Sequence, residues 1–241
     1  MNPRINALLD GLPETEYSTL VSHMELVSHM ELVSLSKGQD LFLSGQFASH
    51  VYYPVGALIS MMMDLSDGFS AETYMVGRAG LIGWAALQEP SRYRANVRHP
   101  GLAYRLAGPS HTSLLPYCPI YTQSILGTMR RMVLELAQAV VCGKHHSVEQ
   151  QLIRWMLISI DHLLEPAIQM THQEMAERLG FRREAITLAL GKLAALGHIS
   201  VGRGMIEVTQ RAGLESMVCE CYWTHRPALR PVLHQLELAL R

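Results

Sequence analysis

The sequence is short of several things that would narrow its class at once. It has only four cysteines in 241 residues: Cys118, Cys142, Cys219 and Cys221. They are too few and too scattered for the disulfide framework of a small secreted domain. A chain of this length buries enough surface to fold without such staples. An excess of charge of one sign is also missing, since 20 Lys and Arg stand against 21 Asp and Glu, a formal net charge of −1. Taken at face value, that balance argues against a nucleic-acid partner, although an average hides distribution. No apolar run approaches the roughly 18–20 residues that span a bilayer. The start, MNPRINALLDGLPETE, lacks the apolar stretch of a secretory signal. A cytoplasmic protein without a membrane partner is expected. Disorder is excluded as well, because 49% of the residues are hydrophobic and 17% charged.

What is present divides the chain into stretches of different periodicity. Residues 5–32 read as helical, with Leu8, Leu9, Leu12, Tyr17, Leu20, Val21 and Met24 on an apolar face. This stretch holds a tandem repeat, VSHMEL at 21–26 and again at 27–32. Two copies are too few for a solenoid, so the repeat reads as a small in-frame duplication. Six residues are about 1.7 helical turns, so a loop absorbs the insertion more cheaply than a helix does. From 33 to 107 short β-rich pieces follow: Asp40–Leu43, His50–Tyr53, Ala57–Met63, Thr73–Val76 and Ala103–Leu106. Gly, Pro, Ser and Asp separate them, which predicts a small antiparallel barrel or roll.

Residues 119–145 carry a different signal. Leu126, Met129, Val133, Leu136, Val140 and Gly143 recur at alternating spacings of 3 and 4. That is an a/d heptad seam, the pattern of a dimerisation helix. A second helix is predicted from Val148 to about Leu164, before Pro166.

Residues 170–209 are the most informative. Thr171 and Glu174 form a T-x-x-E capping box that starts a helix with Met175, Ala176 and Leu179 on its buried face. Gly180 supplies a turn, and a second helix is predicted from about Arg182 to Leu196 with Ile186, Leu190 and Leu193 as its apolar stripe. Two short β pieces, Ile199–Val201 and Met205–Val208, flank Gly202-Arg203-Gly204. Helix, turn, helix and a Gly-tipped hairpin describe a winged helix-turn-helix. In that motif the start of the second helix meets base edges in the major groove. Arg182, Arg183, Glu184 and Thr187 are therefore the candidate base contacts. Arginine can bind guanine O6 and N7, and glutamate can accept from cytosine N4. Thr171, His172, Lys192 and Arg203 are the candidate phosphate contacts.

In these residues the chain resembles the Crp–Fnr superfamily of bacterial transcription regulators over roughly residues 33–213. THQEMAERLGFRREAIT carries the strongest match, supported by Val51-Tyr52-Tyr53-Pro54 and by the run from Val76 to Gly83. The resemblance implies an α+β fold. A helical segment is expected over 1–32 and a β-roll effector domain, like those that bind cyclic nucleotides, over 33–117. A dimerisation helix over 118–146, a winged helix-turn-helix over 147–213 and a helical tail over 214–241 would follow. It also implies a homodimer on a palindromic operator in double-stranded DNA, with RNA polymerase as a further partner. Where the superfamily often has a third base-reading arginine, this chain has Leu188, which leaves the operator sequence open.

The same resemblance argues against two cofactors. The family's cyclic-nucleotide cassette needs a Gly-Glu pair and an Arg-Ser or Arg-Thr pair. Here Trp84 follows Gly83, and Tyr93 follows Arg92. Gly83, Trp84 and Arg92 are thus the candidate effector-pocket residues, with the cyclic nucleotide itself not expected. No cysteine precedes Cys118, whereas the iron–sulfur branch uses an N-terminal cysteine cluster, so no such cluster is expected. None of the 12 histidines lies in a diagnostic haem motif. Cys219 and Cys221 form a C-x-C pair with no second pair at zinc-finger spacing, and read as ordinary reduced thiols. No metal site or enzymatic activity is expected. The alternatives are a small-molecule or redox sensor whose C-terminal helices contact protein rather than DNA, and a cupin-like metalloenzyme. His50, Glu72, Glu89, His99 and His111 lack the ligand spacing the latter needs.

The net charge resolves on the same divisions. Residues 1–117 hold 7 basic and 10 acidic groups, whereas residues 167–241 hold 9 basic and 7 acidic. A near-neutral total conceals a mildly basic C-terminal part.

Overall fold

The computed structural model describes residues 2–26, 30–163 and 166–224. The chain divides into two compact units, one built from residues 1–63 and 74–133, the other from 64–73 and 134–241.

The first unit opens with α1 (Ala7–Asp10) and α2 (Glu14–Leu26). Seven strands follow: β1 (Glu31–Leu35), β2 (Asp40–Phe42), β3 (His50–Pro54), β4 (Leu58–Asp64), β5 (Ser70–Val76), β6 (Arg94–His99) and β7 (Gly101–Ala107). They form two sheets, ordered β1-β7-β3 and β2-β6-β4-β5. β7 lies antiparallel to both its neighbours, and β6 to β2 and β4. α3 (Gly108–Leu114) and the first half of α4 (Pro119–His145) complete the unit. Strand alternation sends side chains to two cores. Val51 and Tyr53 pack with Leu9, Leu20, Leu106, Leu114, Tyr121 and Ile125. Tyr52, between them in sequence, packs with Ile59, Ile82, Val97 and Ala103. This is the mixed helix and antiparallel-sheet architecture expected from the sequence.

The start of α4 is held by a charge. The Glu16 carboxylate accepts from the backbone N–H of Ile120 (2.9 Å) and Tyr121 (2.8 Å). These N–H groups have no partner within the helix, and a carboxylate there also complements the helix dipole.

One local expectation needs correction, and two elements carry no clear signal in the sequence. The predicted helix over 5–32 ends earlier: α2 stops at Leu26, and Glu31 and Leu32, the end of the second VSHMEL copy, open β1. Residues 27–29 lie outside the described part of the chain. Tertiary pairing explains the difference, since Glu31 is opposite Arg105 in the ladder and accepts from its Nε (2.8 Å) and Nη2 (2.5 Å). The strand β6 was missed because polar residues interrupt its apolar pattern. Asn96 and Arg98 are buried in it, with Asn96 donating to Gly38 O and Asp40 Oδ1. α3 was missed because Gly108-Pro109-Ser110 reads as a loop, although proline suits a first helical turn.

The second unit takes the end of β4, the start of β5 and the remainder of α4, then α5 (Val148–His162), β8 (Ala167–Ile168), α6 (His172–Leu179), α7 (Arg183–Ala195), β9 (Ile199–Gly202), β10 (Met205–Val208) and α8 (Arg211–Met217). The strands form a small sheet in the order β8-β10-β9. α5 starts at a capping box between Ser147 and Gln150, and packs against α7 and α8. Its Asp161 is fully buried and carries a closed polar network. Arg211 Nη2 donates to Asp161 Oδ1 at 2.5 Å, and Tyr222 OH donates to Oδ2 at 2.9 Å. Burial opposes the Arg211 charge most strongly, but Asp161, Glu215 and Tyr222 together outweigh it and hold the guanidinium above the ordinary arginine range. The segment after α8 is thereby fastened to α5.

No helix among the described residues is long and apolar enough to cross a membrane.

Candidate nucleic-acid interface

The interface is built by α6, the turn after it, α7 and the β9–β10 wing. Thr171 caps α6 as its sequence predicts. Its hydroxyl accepts from Glu174 N–H (3.2 Å), and Glu174 Oε2 accepts from Thr171 N–H (2.7 Å). Gly180 ends α6 with φ +71°, a left-handed conformation that a side chain disfavours. α7 then begins at Arg183, one residue later than predicted, with Arg182 as an extended N-cap residue that makes no side-chain cap.

The rotation of α7 is set from inside. Ile186, Ala189, Leu190 and Leu193 are buried, so Arg183, Glu184, Thr187 and Leu188 face outward. Arg182, Arg183 and Glu184 are exposed, and none of the three spends its charge on a hydrogen bond or ion pair among the described residues. The helix dipole adds partial positive charge at this end. Thr187 is steadied from α6, its Oγ1 lying 3.0 Å from His172 Nδ1. Leu188, at 76% exposure, is available for a thymine methyl but offers no hydrogen bond. Arg203 is exposed between β9 and β10, beside Gly204 with φ +69°.

Not every predicted contact joins this face. Nine residues separate Lys192 from Arg183, half a turn away in direction, and its Nζ pairs with Glu149 Oε2 of α5 at 2.7 Å. Thr171 spends its hydroxyl on the capping box.

The heptad seam can be placed in the same way. Along α4, Tyr121, Ile125, Thr128 and Cys142 are buried within the chain. The seam lies one position further round: Leu126 (57%), Val133 (60%) and Val140 (59%) are exposed, while Met129 and Leu136 are half-buried. This isolated chain therefore turns an apolar stripe outward.

Of the three predicted effector-pocket residues, one lines the cavity beside His111. Trp84 walls an apolar cavity of about 170 Å³ in the first unit, together with Leu87, His111, Leu115, Ile125 and Leu126. Gly83 is explained by backbone packing, since a Cβ there would lie 2.4 Å from His50 O. Arg92 is exposed and is not part of the wall. The wall has no cationic side chain for a cyclic phosphate. His111 is buried with neither ring nitrogen hydrogen-bonded, and burial lowers its pKa to about 4, so it is neutral.

One cluster had no sequence signal strong enough to name it. Cys142, in the last turn of α4, and His146, just past its end, meet Cys219 and Cys221, and the four ligand atoms all lie within 4.8 Å of one another. Burial pushes the Cys142 thiol up to about 12, against the pull of Arg154, and raises Cys219. The C-x-C pair and the Cys-x-x-x-His pair are each weak alone, and 77 residues separate Cys142 from Cys219.

Residues 150–217 match the Crp-like helix-turn-helix domain family. Among curated proteins, none matches the chain. Solved structures with the same fold include a putative Crp/Fnr-family regulator from Eubacterium rectale, 13% identical, TM-score 0.66, covering 89% of this chain and 98% of that one. FixK2 of Bradyrhizobium japonicum is 16% identical, with TM-score 0.64 and coverage of 78% and 97%. The c-di-GMP-responsive global regulator CLP of Xanthomonas campestris is 16% identical, with TM-score 0.61 and coverage of 79% and 98%. Residues 150–217 are thus similar to Crp-like helix-turn-helix domains, and the chain has the fold seen in solved CRP/FNR-family regulators. Both agree with the resemblance read from the sequence.

Proposed function

We propose that this chain is a cytoplasmic, sequence-specific transcription regulator that binds a palindromic operator in double-stranded DNA as a homodimer. One observation carries the reading. Arg182, Arg183 and Glu184 are exposed at the start of α7 and unpaired among the described residues, at the end where a helix-turn-helix meets base edges. Arg183 reads guanine and Glu184 reads cytosine, while Thr187, with its hydroxyl steadied by His172, contacts the next step. Arg203 on the wing supplies a phosphate contact.

The outward apolar stripe of α4 supports the homodimer, because a two-fold interface buries the same patch on both copies. RNA polymerase is the partner proposed for the regulatory step. An effector in the first unit would tune DNA affinity. Its candidate site is the apolar cavity beside Trp84 and His111, which suits a small uncharged or apolar molecule better than a cyclic nucleotide.

Footprinting on the DNA upstream of the chain's own gene tests the reading. The expected footprint has two half-sites about one helical turn apart. Absence of any salt-dependent DNA affinity would overturn it in favour of a sensor that acts through protein contacts.

A further inference from the structure

We propose that Cys142, His146, Cys219 and Cys221 together bind one zinc-class divalent cation, which clasps the segment after α8 onto α4. This inference is independent of the DNA-binding reading. The geometry points to it at the level of single distances. A tetrahedral ion with bonds of about 2.3 Å to sulfur and about 2.0–2.1 Å to nitrogen separates its ligands by about 3.8 Å (S to S) and about 3.5 Å (S to N). In the structure Cys142 Sγ and Cys219 Sγ are 3.8 Å apart, and Cys221 Sγ and His146 Nδ1 are 3.5 Å apart. Two edges of the ligand tetrahedron are therefore already at their bonded lengths.

The surroundings match a metal centre as well. A histidine that ligates through one ring nitrogen usually offers the other to a carboxylate, which fixes ring orientation and tautomer. His146 Nε2 lies 3.4 Å from Glu220 Oε2, while Nδ1 faces the cysteines. Gln138 Nε2 donates to Cys221 Sγ at 3.0 Å, a contact that suits a metal-bound thiolate. The charge is balanced nearby too. Three thiols and a neutral imidazole take up M²⁺ and release three protons, which leaves the site at −1. Arg154, whose Nε is buried without a hydrogen-bond partner, lies close enough to act on Cys142 and offsets that charge.

Two other chemistries fit less well. A disulfide needs its sulfurs at about 2.05 Å and uses neither a third thiol nor a histidine. An iron–sulfur cubane binds each cysteine to a different iron, which sets the sulfurs too far apart for a cage this small. Ligand softness favours zinc over calcium or magnesium, which take oxygen ligands. The ion would close a loop between α4 and the segment after α8 that contains the whole winged helix-turn-helix, so its loss should loosen that domain.

The full chain, purified reduced and without chelator, should hold one zinc per chain by elemental analysis. Replacing zinc with cobalt should give the intense visible bands of a tetrahedral thiolate site. Cys219→Ser and Cys142→Ser should abolish stoichiometric binding, whereas Cys118→Ser, outside the cluster, should leave it intact. His146→Gln should shift the cobalt bands. Glu220→Gln should weaken zinc affinity about 10-fold or more, measured by competition with a chromogenic chelator. A reduced chain that binds no stoichiometric metal after incubation with zinc would overturn the proposal. So would a Cys142–Cys219 disulfide in metal-free protein, found by peptide mapping without reduction. If the cysteine variants fail to fold, unchanged cobalt spectra and affinities in both His146→Gln and Glu220→Gln would overturn it equally.

Discussion

The outward face of α7 and the buried ground beneath the segment after α8 belong to one unit and use polar groups in opposite ways. At the start of α7, Arg182, Arg183 and Glu184 stand in water with no partner among the described residues. The buried Asp161, by contrast, is met by Arg211 and Tyr222, and Arg211 by Glu215 as well. The difference follows from solvent. Exposed charges are stabilised by water and can wait for a ligand at no cost to the fold. Buried ones must find partners within the chain, since an unmatched buried charge destabilises by several kcal/mol. The first kind of residue can therefore be changed for recognition alone, while the second cannot be changed without loosening the domain.

The sharpest way to break that contrast is at Asp161. Asp161→Ala removes the buried acceptor that Arg211 and Tyr222 share, leaving Arg211 only Glu215 and the Tyr222 hydroxyl, and should lower unfolding free energy by about 3 kcal/mol in urea titrations. A loss under about 0.5 kcal/mol would mean the network contributes specificity rather than stability. Arg183→Ala should do the reverse. It should cost about 1–3 kcal/mol of operator affinity, confined to one base pair per half-site, with unfolding unchanged. Equal affinity for all bases at that position in both proteins would remove Arg183 from base reading.

His111 sharpens the comparison from the first unit, as a buried polar group without a partner. Its pKa is lowered from 6.5 to about 4 by burial, so the unfolded chain takes up the proton first as pH falls. Its contribution to stability should be complete above about pH 6.5 and decline as pH drops toward 4. Thermal melts of His111→Leu should lose that part of the pH dependence. A variant whose pH profile overlays the parent would exclude His111 as its origin.

The smallest effects separate two exposed cations. Arg203→Ala should reduce the salt dependence of DNA binding by about one counterion, with little change in sequence preference. Lys192→Ala should leave that slope alone, because Lys192 points away from the base-reading face, and should cost no more than about 0.5 kcal/mol of stability through its exposed pair with Glu149. A reversed order of the two slopes would put α7 on DNA in a different orientation.

The winged helix-turn-helix was legible because its signals are local. The Thr171–Glu174 box, the left-handed Gly180 and the stripe through Ile186, Leu190 and Leu193 each act within a turn or two of chain. The first unit was less legible where distant pairing overrides pattern. VSHMEL is the clearest instance: one copy ends α2, and the Glu31-Leu32 of the other opens β1, because Arg105 lies across the ladder. An identical hexapeptide has no single conformation until its neighbours are in place. β6 was hidden by Asn96 and Arg98, which read as surface residues until the fold supplies partners for them.

By itself, the sequence determined the order of elements from Thr171 to Val208, the outward placement of Arg183 and Glu184, and the apolar seam of α4. Each rests on spacing along a helix or a turn, where 3.6 residues per turn converts position into direction. Only the tertiary structure decided that β1 is a strand and that Trp84 and His111 share a cavity wall while Arg92 does not. It alone brought Cys142 and His146 beside Cys219 and Cys221. Those are meetings of residues far apart in the chain, and local periodicity has no information about which distant segments will pack together.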